Sequence, residues 1–276
     1  MKADAYLEEH NVLVYLQDAI SQYILIKDGD FNARSAAKFF HEYFSSVKKQ
    51  SHVLLREYEY IRSTHYNRTA FVRNVWSSFK SLAVMSNSLF TAKELQGLIT
   101  LICHDFPADI ILRTVHYSQS NNQMTISFID FILAFQIEFC FQEFLTDAFK
   151  EYRNLVLSQH TTSEIAAVVQ NINIDSCYTS RSEKSQEHEK VSASEFRESL
   201  IRMIKNQYNF RHPPIATLHE TLIEYSQVSF SRFLKNLAYN HRCNDYLAAL
   251  PDISELKSQL TDEANRIVRP KSGRKS

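Results

Sequence analysis

The chain of 276 residues carries 31 basic and 31 acidic residues, so it has no overall field that would favour nucleic acid, and its length allows two modest domains. Its four cysteines form no Cys-x-x-Cys pair, which argues against a zinc knuckle or a disulfide framework and favours a reducing, cytosolic compartment. With three glycines, many aromatic residues and no apolar signal segment, the sequence predicts an all-α protein that is not secreted.

The first two predicted helices form an N-terminal hairpin. Residues 6–26 carry an apolar face that includes Leu13, Leu16, Ile20 and Tyr23, a turn follows at 27–30, and a second helix covers about 32–48. Two helices of this length cannot bury both apolar faces against each other alone. The hairpin is therefore expected to pack on another copy, another chain or the following domain.

The second of these helices contains the phrase Ala-Lys-Phe-Phe-His-Glu-Tyr-Phe at residues 37–44. It resembles the docking-and-dimerisation hairpin of cyclic-AMP-dependent kinase regulatory subunits, in which two hairpins form a four-helix bundle that accepts a partner helix. The resemblance implies a homodimer or heterodimer through residues 6–48, and an ordinary hairpin packed on its own domain is the alternative. The residues expected to dock a partner are Leu13, Leu16, Ile20, Phe40, Tyr43 and Phe44.

Another sequence pattern occurs four times. It consists of an apolar residue, Ser or Thr, two further residues, a position that is usually acidic and a large apolar residue. It begins at Phe90, Ile126, Val191 and Val228, about 36 residues apart within each pair. This pattern is typical of an EF-hand loop passing into its exiting helix. We therefore predict two degenerate EF-hand-like pairs, in which short β-bridges join Phe90 to Ile126 and Val191 to Val228.

The helices of both pairs follow from the apolar periodicity. In the first pair, residues 51–157, they are predicted at 68–81, at 91–103, after Asp105-Phe106-Pro107, and at 127 to about 155. The last is rich in phenylalanine and is expected to lie at the centre of the core, although Asp130, Gln136 and Glu138 interrupt its apolar run and exclude a membrane span. The second pair, residues 191–252, is predicted to have helices at 193–208, 215–226, 230–241 and 245–250.

Calcium coordination is not expected in any of the four loops. A calcium loop normally supplies oxygen ligands at positions one, three and five and a bidentate Glu at position twelve. Counted back from Glu94, Asp130 and Glu195, these loops carry mostly apolar, amide or basic residues, and Arg232 replaces the acid of the fourth loop. We predict no metal and no cofactor.

No catalytic residues are predicted either. Three isolated glycines cannot form a phosphate-binding loop, and the sequence lacks both a Gly-x-Ser-x-Gly elbow and a His-Glu-x-x-His motif. Cys103-His104-Asp105 is suggestive, but adjacent residues on a helix point in different directions and form no triad merely by being neighbours. The sequence favours an interaction protein over an enzyme.

Two segments have polar compositions. Residues 158–190 are rich in Ser, Thr, Asn, Gln and charge and are predicted to be a disordered linker, in which 165–169 is either a transient helix or a small docking motif. Residues 253–276 are predicted to be a helix and a basic tail without an acid after Glu263. The cations of the tail are Arg266, Arg269, Lys271, Arg274 and Lys275.

The order and spacing of several phrases resemble one family, the centriolar satellite-associated regulators of the tubulin polyglutamylase complex. The similarity covers roughly residues 6–252, and this chain ends sooner than vertebrate members, which carry a longer polar extension. The phrases are Tyr6-Leu7, Val12-Leu-Val-Tyr-Leu-Gln-Asp-Ala19, Ala37-Lys-Phe-Phe-His-Glu-Tyr-Phe44, Leu54-Leu-Arg-Glu57, Asn67-Arg68, Asp105-Phe-Pro107, Phe128-Ile-Asp-Phe-Ile-Leu-Ala-Phe-Gln-Ile137 and Ala248-Ala-Leu-Pro251.

The resemblance implies a non-catalytic regulator or subunit that binds microtubules and places the glutamylating ligase at centriolar satellites, the centrosome and the base of cilia. Its implied partners are the polyglutamylase subunits, microtubules and satellite proteins, with neither nucleic acid nor membrane. The basic tail is expected to attract the acidic C-terminal tails of tubulin over about 8 to 10 Å. The alternatives are a ciliary adaptor whose hairpin binds amphipathic anchoring helices and, third, a calcium sensor or an enzyme.

Overall fold

The computed structural model describes residues 6–7, 10–29, 35–84, 88–118, 125–159, 189–206 and 210–253. These residues are mostly helical and include two small antiparallel sheets, so the all-α prediction is confirmed. Within these ranges, no helix is both long enough and apolar enough to cross a membrane. Most of the predicted linker and almost all of the basic-tail segment lie outside the described residues, as does Asp30 at the end of the predicted turn.

The N-terminal part contains helix α1 (Val12–Gly29) and helix α2 (Ala36–Lys48). The first helix was predicted to begin at residue 6, but Asn11 has φ 52°, a left-handed conformation that a helix cannot contain. It also continues through Lys27, where a turn was predicted, because the intervening residues include no helix breaker. Ser35 caps α2 by accepting a hydrogen bond from the backbone N–H of Lys38 at 3.3 Å.

The remaining elements form two consecutive groups along the chain. The first contains α3 (Tyr58–Arg62), α4 (His65–Phe79), α5 (Ser81–Val84), β1 (Leu89–Thr91), α6 (Ala92–Thr100), α7 (Ala108–Ser118), β2 (Thr125–Ser127), α8 (Phe128–Cys140) and α9 (Gln142–Gln159). The second contains β3 (Val191–Ser192), α10 (Ala193–Lys205), α11 (Ile215–Leu222), β4 (Gln227–Val228), α12 (Phe230–Tyr239) and α13 (His241–Leu247).

Helix α8 lies at the centre of the core, as predicted. The rings of Phe131, Phe135 and Phe139 are fully buried and stack in succession, with centroid distances of 5.3 and 5.7 Å. The helix contacts α4, α7, α9 and α12, so elements of both groups pack around it. Burial of such a ring contributes roughly 1.5 to 3 kcal/mol to the free energy of folding.

The four repeated phrases are helix starts. Thr91, Ser127, Ser192 and Ser229 each accept a hydrogen bond from the backbone N–H three residues later, which is the N-cap interaction that such a spacing favours. Each phrase also contributes a strand residue. Phe90 lies opposite Ile126 in the β1–β2 sheet, and Val191 lies opposite Val228 in the β3–β4 sheet, so both predicted pairings are confirmed.

The long aromatic helix predicted from 127 to about 155 is wrong in one respect, because it is broken at Phe141. This residue has φ −115° and ψ 27°, which ends α8, and α9 begins at the next residue. The break lies within the core, because Phe139, Cys140 and Phe141 are all buried. The change of direction lets α9 bury its own apolar side.

The polar residues that interrupt the apolar run of α8 each bind another helix. Glu138 forms a salt bridge with Arg113 of α7, with 2.6 Å between Glu138 Oε1 and Arg113 Nε. The Gln136 amide donates to Asn244 of α13, and the Tyr239 hydroxyl of α12 donates to Asp130. Buried polar groups are stable only when they are paired, so these residues set how α8 sits among its neighbours.

The two groups share one continuous core. Phe149 and Tyr152 of α9 contact the ring of Phe230 at centroid distances of 4.9 and 5.6 Å. The chain after α13 also contacts the first group. There the indole N–H of Trp76 donates to the carbonyl oxygen of Pro251 at 2.8 Å. These contacts tie the C-terminal helices to α4 and α9.

Several helix ends differ from the predictions. Helix α6 ends at Thr100, α10 at Lys205 and α11 at Leu222, all short of the predicted limits of 103, 208 and 226, and the predicted helix 245–250 is α13, shifted towards the N-terminus. Helix α4 starts at His65, three residues before the prediction, because Thr64 is its N-cap. Asp105, which precedes the predicted helix after Pro107, accepts the N–H of Tyr58 at the start of α3, at 3.0 Å.

Candidate partner-binding surface

Helix α1 has one side that packs on the protein and one side that faces solvent. Tyr15 and Ala19 are buried, whereas the opposite side carries four large apolar side chains at helical spacing that are between 41% and 54% exposed. We call these four residues the outer stripe. They are Leu13, Leu16, Ile20 and Ile24.

The packed side of α1 is fixed first by Asp18. The guanidinium of Arg56 donates to both carboxylate oxygens of Asp18, at 2.6 and 3.0 Å, and the hydroxyl of Tyr43 donates to it at 2.6 Å. Burial alone would raise the pKa of Asp18, but the hydrogen bonds from Arg56 and Tyr43 outweigh burial and hold that pKa below its usual value. Helices α1 and α2 and the segment before α3 thus meet at one charged group.

A second polar cluster holds the start of α1 on α4. The Tyr15 hydroxyl donates to Asn67 Oδ1 at 2.8 Å and lies 3.0 Å from Thr64 Oγ1. The same Asn67 oxygen is 2.9 Å from His52 Nε2. Burial raises the pKa of Tyr15 to about 12 and lowers the pKa of His52. Both side chains are therefore neutral near pH 7, and the hairpin packs on the following helices, one of the three arrangements expected for it.

The structure separates the six predicted docking residues into two groups. Leu13, Leu16 and Ile20 lie in the outer stripe, and Phe44 is also 41% exposed. Phe40 packs against Tyr23 and Phe39, with its ring centroid 5.7 Å from that of Tyr23, and Tyr43 is buried beside Asp18. Ile24 was not predicted, although its spacing four residues after Ile20 would have placed it on the same face.

The acids at position twelve of the loops are used in the helix starts. The Glu94 carboxylate accepts the backbone N–H of Thr91 at 2.8 Å, completing a capping box, and that bond holds the pKa of Glu94 below its usual value. Asp130 similarly accepts the Ser127 hydroxyl at 2.8 Å. Within the described ranges, no group of three or more His, Cys, Asp or Glu residues could hold a metal ion. Most of the counted loop positions lie outside those ranges, at residues 85–87, 119–124 and 184–188.

The Cys103-His104-Asp105 sequence forms contacts that do not activate the thiol. The Cys103 thiol donates to Asp105 Oδ1 at 3.2 Å, and His104 is 79% exposed with its Nδ1 3.9 Å from the same carboxylate. Burial and the neighbouring Asp105 raise the pKa of Cys103 to about 12, whereas a nucleophilic cysteine needs a lowered pKa. Burial also raises the pKa of Cys140 and of Cys243 to about 12.

The chain is similar to named proteins along most of its length. A family model described as the CSTPP1 N-terminal domain matches residues 1–50. Over 272 residues the chain is 30% identical to the centriolar satellite-associated tubulin polyglutamylase complex regulator 1 of Danio rerio, an alignment that covers 97% of this chain and 81% of that protein. Proteins of the same name from Bos taurus and Homo sapiens are 31% and 30% identical, with 95% of this chain and 80% and 79% of theirs covered. No solved structure matches the chain.

Proposed function

Because the chain belongs to the family of centriolar satellite-associated tubulin polyglutamylase complex regulators, we propose that it is a non-catalytic regulator or subunit of such a complex. It binds microtubules and positions the ligase at centriolar satellites, the centrosome and the base of cilia. The observation that carries the proposal is the similarity to the Danio rerio protein over 97% of this chain. The raised pKa values of Cys103, Cys140 and Cys243 support a non-catalytic role, because thiols of this kind are inert.

The architecture suits a scaffold built from separate modules. We propose a docking-and-dimerisation-like unit at residues 1–50, degenerate EF-hand-like pairs at 51–157 and 191–252, a linker at 158–190, and a helix and basic tail at 253–276. Two features support the paired modules: each has one short antiparallel sheet between its loops, and each loop leads into a capped helix. Neither feature requires a bound ion.

The outer stripe is the surface that we assign to a partner subunit. Four large apolar side chains on one helix face form the anchor pattern by which amphipathic helices bind grooves or other helices. The clusters around Asp18 and Asn67 hold α1 with this stripe outward, so the surface is already formed before a partner arrives.

We predict that the Leu16→Glu/Ile20→Glu double variant loses the partner subunits. A central apolar contact contributes about 2 kcal/mol or more to binding, and a carboxylate in its place must be desolvated. Tagged parent and variant chains are purified from ciliated cells, and the retained proteins are quantified by mass spectrometry. We expect the variant to recover glutamylating-ligase subunits at least fivefold less efficiently, about 1 kcal/mol of binding.

The matched control is Leu101→Glu/Ile223→Glu, which places the same two charges on side chains that are 67% and 66% exposed elsewhere. This control is expected to retain the ligase subunits. If the parent chain recovers no ligase subunit, the proposed function is wrong. If it recovers amphipathic anchoring proteins and loses them in the Leu16→Glu/Ile20→Glu variant, the ciliary adaptor, which the exposed stripe also favours, replaces it.

The basic tail is the surface that we assign to the acidic tails of tubulin. We predict that replacing its five cations, Arg266, Arg269, Lys271, Arg274 and Lys275, by glutamine lowers microtubule cosedimentation at low salt. The change should leave the melting temperature unchanged, and added salt should weaken binding of the parent, because these attractions are screened beyond about 8 to 10 Å. Deletion of residues 264–276 is expected to match the glutamine variant. Equal pelleting of all three proteins with microtubules at low salt would show that the tail does not contribute to microtubule binding.

A further inference from the structure

An open cleft of about 470 Å³ lies where five separate parts of the sequence meet. Its walls are formed by residues just before α1, Gln50 after α2, one side of α4, Arg211 before α11 and the end of α13. Its volume falls within the range of about 300 to 1,000 Å³ that is usual for ligand pockets. The outer stripe contributes no residue to it.

The charge of the cleft is positive. Arg73 and Arg211 line it, and none of the described residues that line it is acidic. Arg73 donates to the backbone oxygen of Ala248 at 2.6 Å, and Arg211 lies over the ring of Tyr246 at 4.7 Å. Within the described residues neither guanidinium has a carboxylate partner, whereas the exposed Arg62 pairs with Glu59. The cleft therefore presents two cations whose ion-pairing capacity is unused.

Two buried polar atoms in the walls are also unused. Gln50 Oε1 and His65 Nδ1 lack a hydrogen-bond partner within the described part of the chain, and both residues line the cleft. Burial, together with Arg211 and Arg68, lowers the pKa of His65 to about 3, so its ring is neutral near pH 7. An unpaired buried acceptor such as Gln50 Oε1 requires an explanation, and a bound donor supplies one.

The backbone around the cleft is strained. Asn11, Gln50 and Ala248 have φ values of 52°, 61° and 50°, in the left-handed region that residues other than glycine rarely adopt. They are three of the five such residues in the described ranges, and all three line the cleft. Ala248 is the left-handed C-cap of α13, and Gln50 follows the C-cap of α2, so two helix ends meet at the cleft.

We propose that this cleft binds an acidic peptide segment, whose carboxylates pair with Arg73 and Arg211 and whose backbone N–H donates to Gln50 Oε1. Arginine forks bind carboxylates and phosphates alike, so the guanidinium groups alone do not choose between them. The unpaired Gln50 oxygen favours a peptide, because a peptide carries a backbone N–H donor beside each carboxylate side chain, whereas the donors of nucleic acid lie on its bases and sugars and not on its phosphodiesters. The cleft is separate from the outer stripe, so a negative result here leaves the proposed function untouched.

The test is the fluorescence anisotropy of a fluorescein-labelled hexaglutamate peptide titrated with the full chain at low salt. The Arg73→Gln/Arg211→Gln variant is expected to bind at least about tenfold more weakly, because each charged hydrogen bond removed is a substantial part of the affinity. Arg232→Gln is the matched control: Arg232 also lies over a tyrosine ring, 5.6 Å from that of Tyr225, and is outside the cleft. Its affinity should remain within about twofold of the parent value.

Competition experiments and a comparison of variants show which ligand binds and where it binds. Unlabelled hexaglutamine should not compete, and competition by polyuridylate at a lower concentration than hexaglutamate would overturn the assignment to a peptide. Equal binding by the parent and the Arg73→Gln/Arg211→Gln variant would place the peptide elsewhere, such as on the basic tail, and would overturn the proposal.

A second variant controls for the possibility that the double variant does not fold. Arg211 is exposed, so Arg211→Gln alone should keep the melting temperature of the parent. Its affinity for hexaglutamate should be severalfold lower than that of the parent. The imidazole resonances of His65, recorded at neutral pH, give an independent readout, because a peptide bound beside the ring changes their chemical shifts. At the same hexaglutamate concentration, the change should be smaller in Arg211→Gln than in the parent. Unchanged His65 chemical shifts in the parent at saturating peptide would contradict the site.

Discussion

Replacing Phe135 by glutamate is expected to unfold the protein. The ring of Phe135 is fully buried between Phe131 and Phe139 and also lies 5.7 Å from the ring of Phe106. Truncation of such a residue to alanine costs about 3 to 5 kcal/mol. A carboxylate adds the cost of burying a charge without a partner. The sum is comparable to the roughly 5 to 15 kcal/mol that stabilises a typical domain, so no cooperative fold should remain.

The measurement is thermal unfolding followed by circular dichroism, with size-exclusion chromatography of the same samples. Phe135→Leu tests the cause, because it keeps an apolar side chain at the site and is expected to melt cooperatively with a loss of about 1.5 kcal/mol or less. Leu101→Glu introduces the same charge on a side chain that is 67% exposed and should melt like the parent. A cooperative transition for Phe135→Glu within a few degrees of the parent would refute the central position of α8.

Local capping chemistry explains why the helix starts were predictable. Thr91, Ser127, Ser192 and Ser229 each act on an N–H three residues away, so four residues of sequence contain the whole interaction. The spacing between the phrases then gave both strand pairings. Helix ends were less predictable, since the chain has only three glycines and so lacks the usual C-cap signal. The break at Phe141 depends on the neighbours of α9, which no local pattern contains.

The candidate surfaces also include features that the sequence predicts and features that depend on the tertiary fold. Leu13, Leu16 and Ile20 were identified because helical spacing is a local property, and the structure leaves all three exposed. That they lie outward, however, depends on Tyr15 binding Asn67, which is 52 residues further along the chain. The cleft gave no sequence signal, because Arg73 and Arg211 are brought together only by the tertiary fold.

The buried ion pair between Arg113 and Glu138 is expected to produce the second large effect. Both side chains are less than 10% exposed, and Arg113 also binds Asp109. Burial raises the pKa of Glu138, and Arg113 opposes that rise; burial would lower the pKa of Arg113, but Glu138 and Asp109 outweigh it and raise that pKa. Arg113 is therefore held charged by its carboxylate partners, and its guanidinium limits the rise that burial imposes on the pKa of Glu138.

Glu138→Ala should destabilise the protein by about 3 to 5 kcal/mol, because it removes the buried carboxylate that pairs with the buried Arg113 guanidinium, and Asp109, which also binds Arg113, is partly exposed. Urea unfolding at neutral pH measures the loss. Glu59→Ala removes the acid of the exposed Arg62–Glu59 pair and serves as the control, with an expected change within about 1 kcal/mol.

The double variant Arg113→Met/Glu138→Leu distinguishes lost pairing from lost packing. Replacing both charges by apolar side chains of similar volume is often neutral or stabilising, so the double variant should recover most of the stability that Glu138→Ala loses. A double variant as unstable as Glu138→Ala would mean that the helices α7 and α8 need the charges themselves to set their register. A loss below about 1 kcal/mol in Glu138→Ala would instead mean that the pair is hydrated in solution. Either result would change how α8, the helix that contacts both groups of elements, is positioned by its polar residues.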